Sequence, residues 1–222
     1  METTVFIIGI TGENCAGKSA LSKYIQRRFS NYSIQYINTR EEILAIAKHV
    51  AEKEQRQIDL LDRPALSKFS NEYTERFGGD VYCKNFHSRA YVEKREILII
   101  DSVRRVDEAR YISNQNGLLI SVTAQAEHRF EWAKKRGTLT DNIKTLEQFI
   151  DLDYKECAPE PWLLNLAETI KLANIHIENN VYSKEGFQES LEVRLAPFLL
   201  AKVPKKYSTG SGTLIAPGHG DC

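Results

Sequence analysis

Eight residues near the amino terminus, Gly12-Glu13-Asn14-Cys15-Ala16-Gly17-Lys18-Ser19, spell G-x-x-x-x-G-K-S, and their flanks restrict what the chain can fold into. Before them Val5-Phe6-Ile7-Ile8-Gly9-Ile10 is an apolar, β-branched run that reads as a buried strand. After them Leu21, Tyr24, Ile25 and Phe29 recur at helix spacing. A strand, a glycine loop and a helix in succession turn consecutive backbone N–H groups toward one point, and the helix start adds its own unpaired donors. Such a nest holds a phosphate. The pattern assigns the loop residues Gly12 to Ser19, with Ala20 opening the helix, to a nucleoside triphosphate. Lys18 is expected on the β- and γ-phosphates and the Ser19 hydroxyl on Mg²⁺, so ATP and Mg²⁺ are the expected cofactors.

Composition limits the remaining choices. A chain of 222 residues is enough for one well-buried α/β domain and short for two. Thirty basic and thirty acidic residues leave no global field that would draw it to nucleic acid or a membrane. The amino-terminal apolar run is six residues long, too short for a signal peptide, and no apolar stretch approaches 18 residues. Cys15, Cys83, Cys157 and Cys222 are scattered without a C-x-x-C pair, which fits a reducing cytoplasm better than a disulfide scaffold or a zinc site.

Strand and helix patterns alternate along the rest of the chain. Strands are read at 33–37, 96–101, 118–122 and 175–179; helices at 41–53, 65–77, 80–94, 107–114, 127–136, 145–156, 162–172 and 186–200. Glu96-Ile97-Leu98-Ile99-Ile100-Asp101 has no polar face and reads as a central parallel strand ending in a carboxylate. The expected fold is therefore a three-layer α/β/α P-loop NTPase with a central, mostly parallel five-stranded sheet. Residues 1–203 form that domain, with an acceptor-binding region at about 38–90 and a lid at about 129–145. Residues 204–222, rich in Gly, Ser and Thr, read as a flexible tail. The apolar face of Trp162, Leu163, Leu166 and Ile170 reads as core, with a homodimer interface the other option.

Three uses of a triphosphate can be compared. A switch GTPase needs an Asn-Lys-x-Asp guanine motif, which is missing. A motor ATPase needs a glutamate after the strand aspartate to activate water, and Asp101 is followed by Ser102. A small phosphotransferase needs cations around the transferring phosphoryl group. Arg104 and Arg105 follow the carboxylate strand, where they can hold an acceptor phosphate, and Arg129 and Arg136 share one helix that stops at Gly137. The reading places Lys18, Asp101, Arg129 and Arg136 in catalysis and Ser19 and Asp101 on Mg²⁺. Arg40, Arg76, Lys84 and Arg104 are assigned to the acceptor.

The chain resembles the nucleoside monophosphate kinase branch of P-loop kinases. Within it the similarity is to dephospho-CoA-kinase-like proteins, archaeal adenylate/cytidylate-kinase-related proteins and phage deoxynucleotide kinases. The residues that carry this are Gly12 to Ser19 and Ile99-Ile100-Asp101-Ser102-Val103-Arg104-Arg105-Val106-Asp107-Glu108. To these add Ala126-Glu127-His128-Arg129-Phe130 with Arg136, Asp141 to Phe149 with Asp153 and Glu156, and Ala173 to Asn179. The resemblance implies that Asn179, after the last strand, lies near the nucleotide base. It also implies an ATP-dependent transfer to a nucleoside or deoxynucleoside monophosphate, with dephospho-CoA as the alternative acceptor. A nucleotide-sensing regulatory module with little turnover is the alternative from another class. Two departures stand out: Asn38-Thr39-Arg40 replaces an expected aspartate after the second strand, and Asp101-Ser102 replaces Asp-Gly.

Overall fold

The computed structural model describes residues 4–137, 143–155, 164–181 and 183–205. Five strands make one sheet: β1 (Phe6–Gly12), β2 (Ile34–Asn38), β3 (Ile97–Asp101), β4 (Leu118–Thr123) and β5 (Ile175–Glu178). Their order is β2-β3-β1-β4-β5, and every pairing is parallel, so the sheet is wholly rather than mostly parallel. Helices α1 (Lys18–Arg28), α2 (Thr39–Glu54), α3 (Arg63–Phe77) and α4 (Val81–Val92) occupy the first half. They are followed by α5 (Val106–Asn114), α6 (Ala126–Arg136), α7 (Leu146–Lys155), α8 (Leu166–Lys171), α9 (Lys184–Arg194) and α10 (Ala196–Lys202).

The unbroken aliphatic strands are explained by burial on both faces. Successive side chains of a strand point to opposite sides, so Ile8, Ile10, Ile97 and Ile99 face one layer and Ile7, Leu98 and Ile100 the other. The first layer holds α1, α9 and α10 through Leu21, Ile25, Phe187, Leu191 and Leu199. The second holds α4 and α5 through Tyr82, Phe86, Ala109 and Ile112. Two satellite clusters lie outside the main core. Ala47, Leu66 and Phe69 join α2 to α3; Phe130, Ala133 and Phe149 join α6 to α7.

The carboxy-terminal helix expected over 186–200 is two helices. It breaks at Leu195, because Pro197 in the first turn of α10 cannot donate to the preceding turn. The helix expected from 162 begins at Leu166. Residues 156–163, with the Trp162 and Leu163 positions, lie outside the described residues, as do 138–142 of the expected lid and the 206–222 part of the tail. Among the described residues no helix is long and apolar enough to cross a membrane.

Candidate functional site

β1 lies between β3 and β4 and runs directly into the glycine loop, so the loop emerges at the centre of the sheet's carboxyl edge. Its shape depends on left-handed backbone. Gly12 has φ +134°, Cys15 +62° and Gly17 +116°. A side chain at Gly12 would meet the Val122 carbonyl oxygen at 1.9 Å, and one at Gly17 would meet Asn179 Nδ2 at 2.7 Å. Only glycine satisfies both the dihedral and the space. The Lys18 ammonium donates to the carbonyls of Gly12 (2.9 Å) and Glu13 (2.8 Å), folding over the loop it would leave to meet phosphate oxygens.

A cavity of about 620 Å³ opens above this loop. Asn14, Cys15, Gly17, Lys18, Ser19 and Ala20 line its floor, and Arg40, Leu61, Ser102, Arg104 and Arg136 its walls. Four elements far apart in sequence thus deliver the cations Lys18, Arg40, Arg104 and Arg136 to one space, and among the described residues no carboxylate lines it. Arg40 sits in the first turn of α2, whose start is fixed by Asn38: the Asn38 Oδ1 accepts from the Arg40 backbone N–H, as a helix cap. The position where an aspartate was expected therefore has a capping role. Arg104 is half-buried and donates to Asn14 Oδ1 at 3.1 Å, joining the β3 turn to the phosphate loop.

Asp101 ends β3, level with Ile10 of β1 and Asn38 of β2. It is 5% exposed, and both carboxylate oxygens are in use. Oδ2 accepts from the Tyr36 hydroxyl at 2.8 Å and Oδ1 from the Ser102 hydroxyl at 3.1 Å. The Thr39 hydroxyl donates to its backbone carbonyl. Burial, and next the Asp101 charge, push the Tyr36 phenol well above its ordinary range, so Tyr36 remains a donor. Sequence patterning missed Tyr36 and Thr39. Their signal was the strand register itself, which sets the end of β2 alongside Asp101.

Four assigned residues look different in place. Arg129 is buried at 3% exposure rather than standing on a hinged cover. Its Nε donates to the Ala124 carbonyl (2.9 Å) and lies 3.4 Å from the Glu13 carboxylate; Nη1 reaches the Asn14 carbonyl at 3.4 Å. The guanidinium also stacks over Phe149 at 5.4 Å. It ties α6 and α7 to the phosphate loop, which leaves exposed Arg136, seven residues on, as the cation of that helix facing the cavity. Arg76 and Lys84 do not join the lining. Arg76 is exposed, 3.8 Å from Glu54 and over the Phe77 ring; Lys84 pairs with Asp80 at 2.9 Å. Both lie on helices that their apolar partners anchor elsewhere. Asn179 is buried, and its Nδ2 donates to the Ala16 carbonyl at 2.8 Å, so it braces the loop from below.

Arg105, expected beside Arg104 on the acceptor phosphate, is instead withdrawn from the cavity lining: with Glu108 it makes the most buried charged pair described, each 2% exposed. Glu108 Oε2 accepts from the backbone N–H groups of Arg104 (2.9 Å) and Arg105 (3.1 Å). Burial pushes the Glu108 carboxyl up, and the Arg105 charge and those two N–H groups oppose it.

No family model and no curated protein matches the chain. Among solved structures it is similar to TT1252 from Thermus thermophilus, at 19% identity and a TM-score of 0.54 over 90% of this chain and 99% of that one. It is also similar to shikimate kinase from Acinetobacter baumannii in complex with shikimate, at 13% identity and a TM-score of 0.52 over 91% and 97%. Shikimate kinase from Bacteroides thetaiotaomicron matches at 13% identity and 0.51 over 85% and 97%. At these identities the likeness concerns the fold, and it is that of a P-loop α/β/α domain.

Proposed function

We propose that the chain is an ATP- and Mg²⁺-dependent phosphotransferase acting on a small phosphorylated acceptor, a nucleoside or deoxynucleoside monophosphate. The observation that carries this is the cavity where Lys18, Arg40, Arg104 and Arg136 converge over the glycine loop with no carboxylate among the described lining residues. MgATP has about two net negative charges and a phosphate monoester about −1.5 to −2 at neutral pH, together close to the four cations facing them. A neutral acceptor would leave part of that positive charge unmatched. The fold shared with shikimate kinases supports phosphoryl transfer as the chemistry.

The residues fit both expected cofactors. The loop's left-handed cradle and Lys18 suit a triphosphate; the Ser19 hydroxyl, in the cavity lining, would hold Mg²⁺, and the buried Asp101 would act on the metal through water. The metal, when bound, would offset charge between the β- and γ-phosphates. Lys18 moves from the Gly12 and Glu13 carbonyls to phosphate oxygens. Arg40 and Arg104 hold the acceptor phosphate, and Arg136 neutralises the equatorial oxygens of the group in flight. One acceptor oxygen bonds to the γ-phosphorus as the bond from that phosphorus to the β-bridging oxygen breaks, and ADP leaves. No general base is needed, because the attacking oxygen is already ionised. Asp101 is correspondingly ill suited to take a proton, since both its oxygens accept hydrogen bonds.

The test is ADP release from MgATP against ribo- and deoxyribonucleoside monophosphates, dephospho-CoA and shikimate, with Lys18→Ala as the blank. Turnover dependent on a monophosphate is the expected result. Turnover with dephospho-CoA or shikimate alone would replace this acceptor class with a hydroxyl acceptor. MgATP binding that Lys18→Ala abolishes, with no turnover on any acceptor, would favour the nucleotide-sensing reading.

A further inference from the structure

A continuous polar chain leads from the phosphate loop to a helix that does not touch the cavity. It starts at Asn14, whose Oδ1 accepts from Arg104 Nη2 at 3.1 Å. The backbone N–H groups of Arg104 and Arg105 both donate to Glu108, so this one buried carboxylate fixes the turn that aims Arg104. Glu108 Oε1 lies 3.7 Å from Arg105 Nη1. The far side of the same guanidinium, through Nη2, donates to Ser70 Oγ (3.0 Å) and Asn71 Oδ1 (3.1 Å) on α3. Tyr82 on α4 closes the end of the chain: its ring lies 5.9 Å from the guanidinium and its hydroxyl donates to Ser70 Oγ at 3.3 Å.

We infer that Arg105 is a positioning residue that couples nucleotide binding on the glycine loop to the placement of α3, and with it to the acceptor side of the site. The inference rests on the phosphotransferase reading for what the acceptor is, but not for the coupling itself. Three features carry it. Arg105 and Glu108 have lost almost all contact with water, so their geometry is set by these partners rather than by solvent. The Arg105 fork spans two elements at once: Glu108 on α5 at one nitrogen, α3 at the other. And the buried apolar residues of α3, Leu66 and Phe69, pack against α2 in a cluster apart from the two layers of the sheet, which α3 meets through Tyr73 stacked on Tyr82 at 5.5 Å. A shift of the Arg104 turn as Asn14 engages phosphate is therefore passed to α3 through Arg105, and through α3 to α2, whose first turn bears Arg40.

Amide hydrogen exchange with and without MgATP tests the coupling in the full-length protein, and needs no acceptor. In the wild type, MgATP slows exchange in the glycine loop and also in α3 from Ser70 to Thr74. In the double variant Ser70→Ala/Asn71→Ala, which removes both α3 acceptors of Arg105 and spares the buried pair, the loop still responds while the α3 response falls about fivefold or more. Arg105→Lys, which keeps the charge and loses the fork, behaves likewise if it folds; the double variant decides the matter if it does not. With the monophosphate that the wild type phosphorylates, both variants raise the acceptor KM about fivefold or more and leave the ATP KM within about twofold. An α3 that ignores MgATP in the wild type overturns the inference, as does an undiminished α3 response in Ser70→Ala/Asn71→Ala. A purely structural role would lower Tm without separating the two KM values. Absence of turnover on every acceptor would sink the kinase reading alone, because the exchange experiment uses only MgATP.

Discussion

A methyl group at Gly12 would lie 1.9 Å from the Val122 carbonyl oxygen, at a backbone φ of +134° that alanine rarely adopts. The Val122 backbone cannot yield as a flexible side chain would. Gly12→Ala is therefore expected to cost about 3 kcal/mol and to lower Tm by roughly 10 °C, readable by thermal denaturation. The two arginines of α6 should separate in the opposite sense to a pair of equivalent lid cations. Arg136 is exposed on the cavity wall, so Arg136→Ala leaves Tm unchanged and lowers kcat by about a thousandfold or more. Arg129 is buried between Glu13, Ala124, Asn14 and Phe149. Arg129→Ala should destabilise by about 2–3 kcal/mol, less than for a fully buried pair because Glu13 retains contact with water. Equal stability losses in the two variants would show that Arg136 is also a packing residue.

At the level of elements, strands and long helices were legible because periodicity reports burial, and burial is what a central parallel sheet imposes. Positions set by contacts distant in sequence were not. Arg76 and Lys84 have the charge of acceptor ligands, but α3 and α4 are anchored by Phe69, Tyr82 and Phe86, and that rotation turns both cations toward Glu54 and Asp80. Leu61, on the cavity wall, had no signal beyond being an apolar residue in a polar loop. Asn38 shows why a substitution within a motif can mislead: its side chain caps α2, and an amide or a carboxylate performs that task equally well. Asn38→Ala should cost about 1 kcal/mol and Asn38→Asp about 0.5 kcal/mol, since the carboxylate keeps the cap but loses the 2.9 Å donation to Glu41 and repels it, as thermal melts would reveal. A large loss in Asn38→Asp would mean that the charge beside Asp101, rather than the cap, decides at this position.

The molecule as a whole should answer to alkali through its buried phenols. Burial, more than any other cause, pushes Tyr24 and Tyr82 up to about 12 and Tyr36 and Tyr111 upward as well. An unfolded tyrosine ionises near 10, so below that pH both states keep the proton and stability does not depend on it. Above about 10 the unfolded chain releases protons that the fold retains, and stability declines progressively toward 12. Melting temperatures between pH 8 and 12 should be level and then fall, and Tyr82→Phe should fall less steeply; a level profile throughout would contradict the burial of these groups.

The sheet order β2-β3-β1-β4-β5 also has a consequence in time. β1, the strand that presents the glycine loop, has neighbours only in β3 and β4, which begin at Ile97 and Leu118. On a ribosome the nucleotide cradle is therefore made first and completed late. A nascent chain halted before Ile97 holds a loop with no sheet to fix it, and its aliphatic strand stays unpaired until the middle of the chain has emerged. Translation intermediates of this protein should bind ATP only once β4 has cleared the exit tunnel, and until then they expose the kind of apolar strand that chaperones hold.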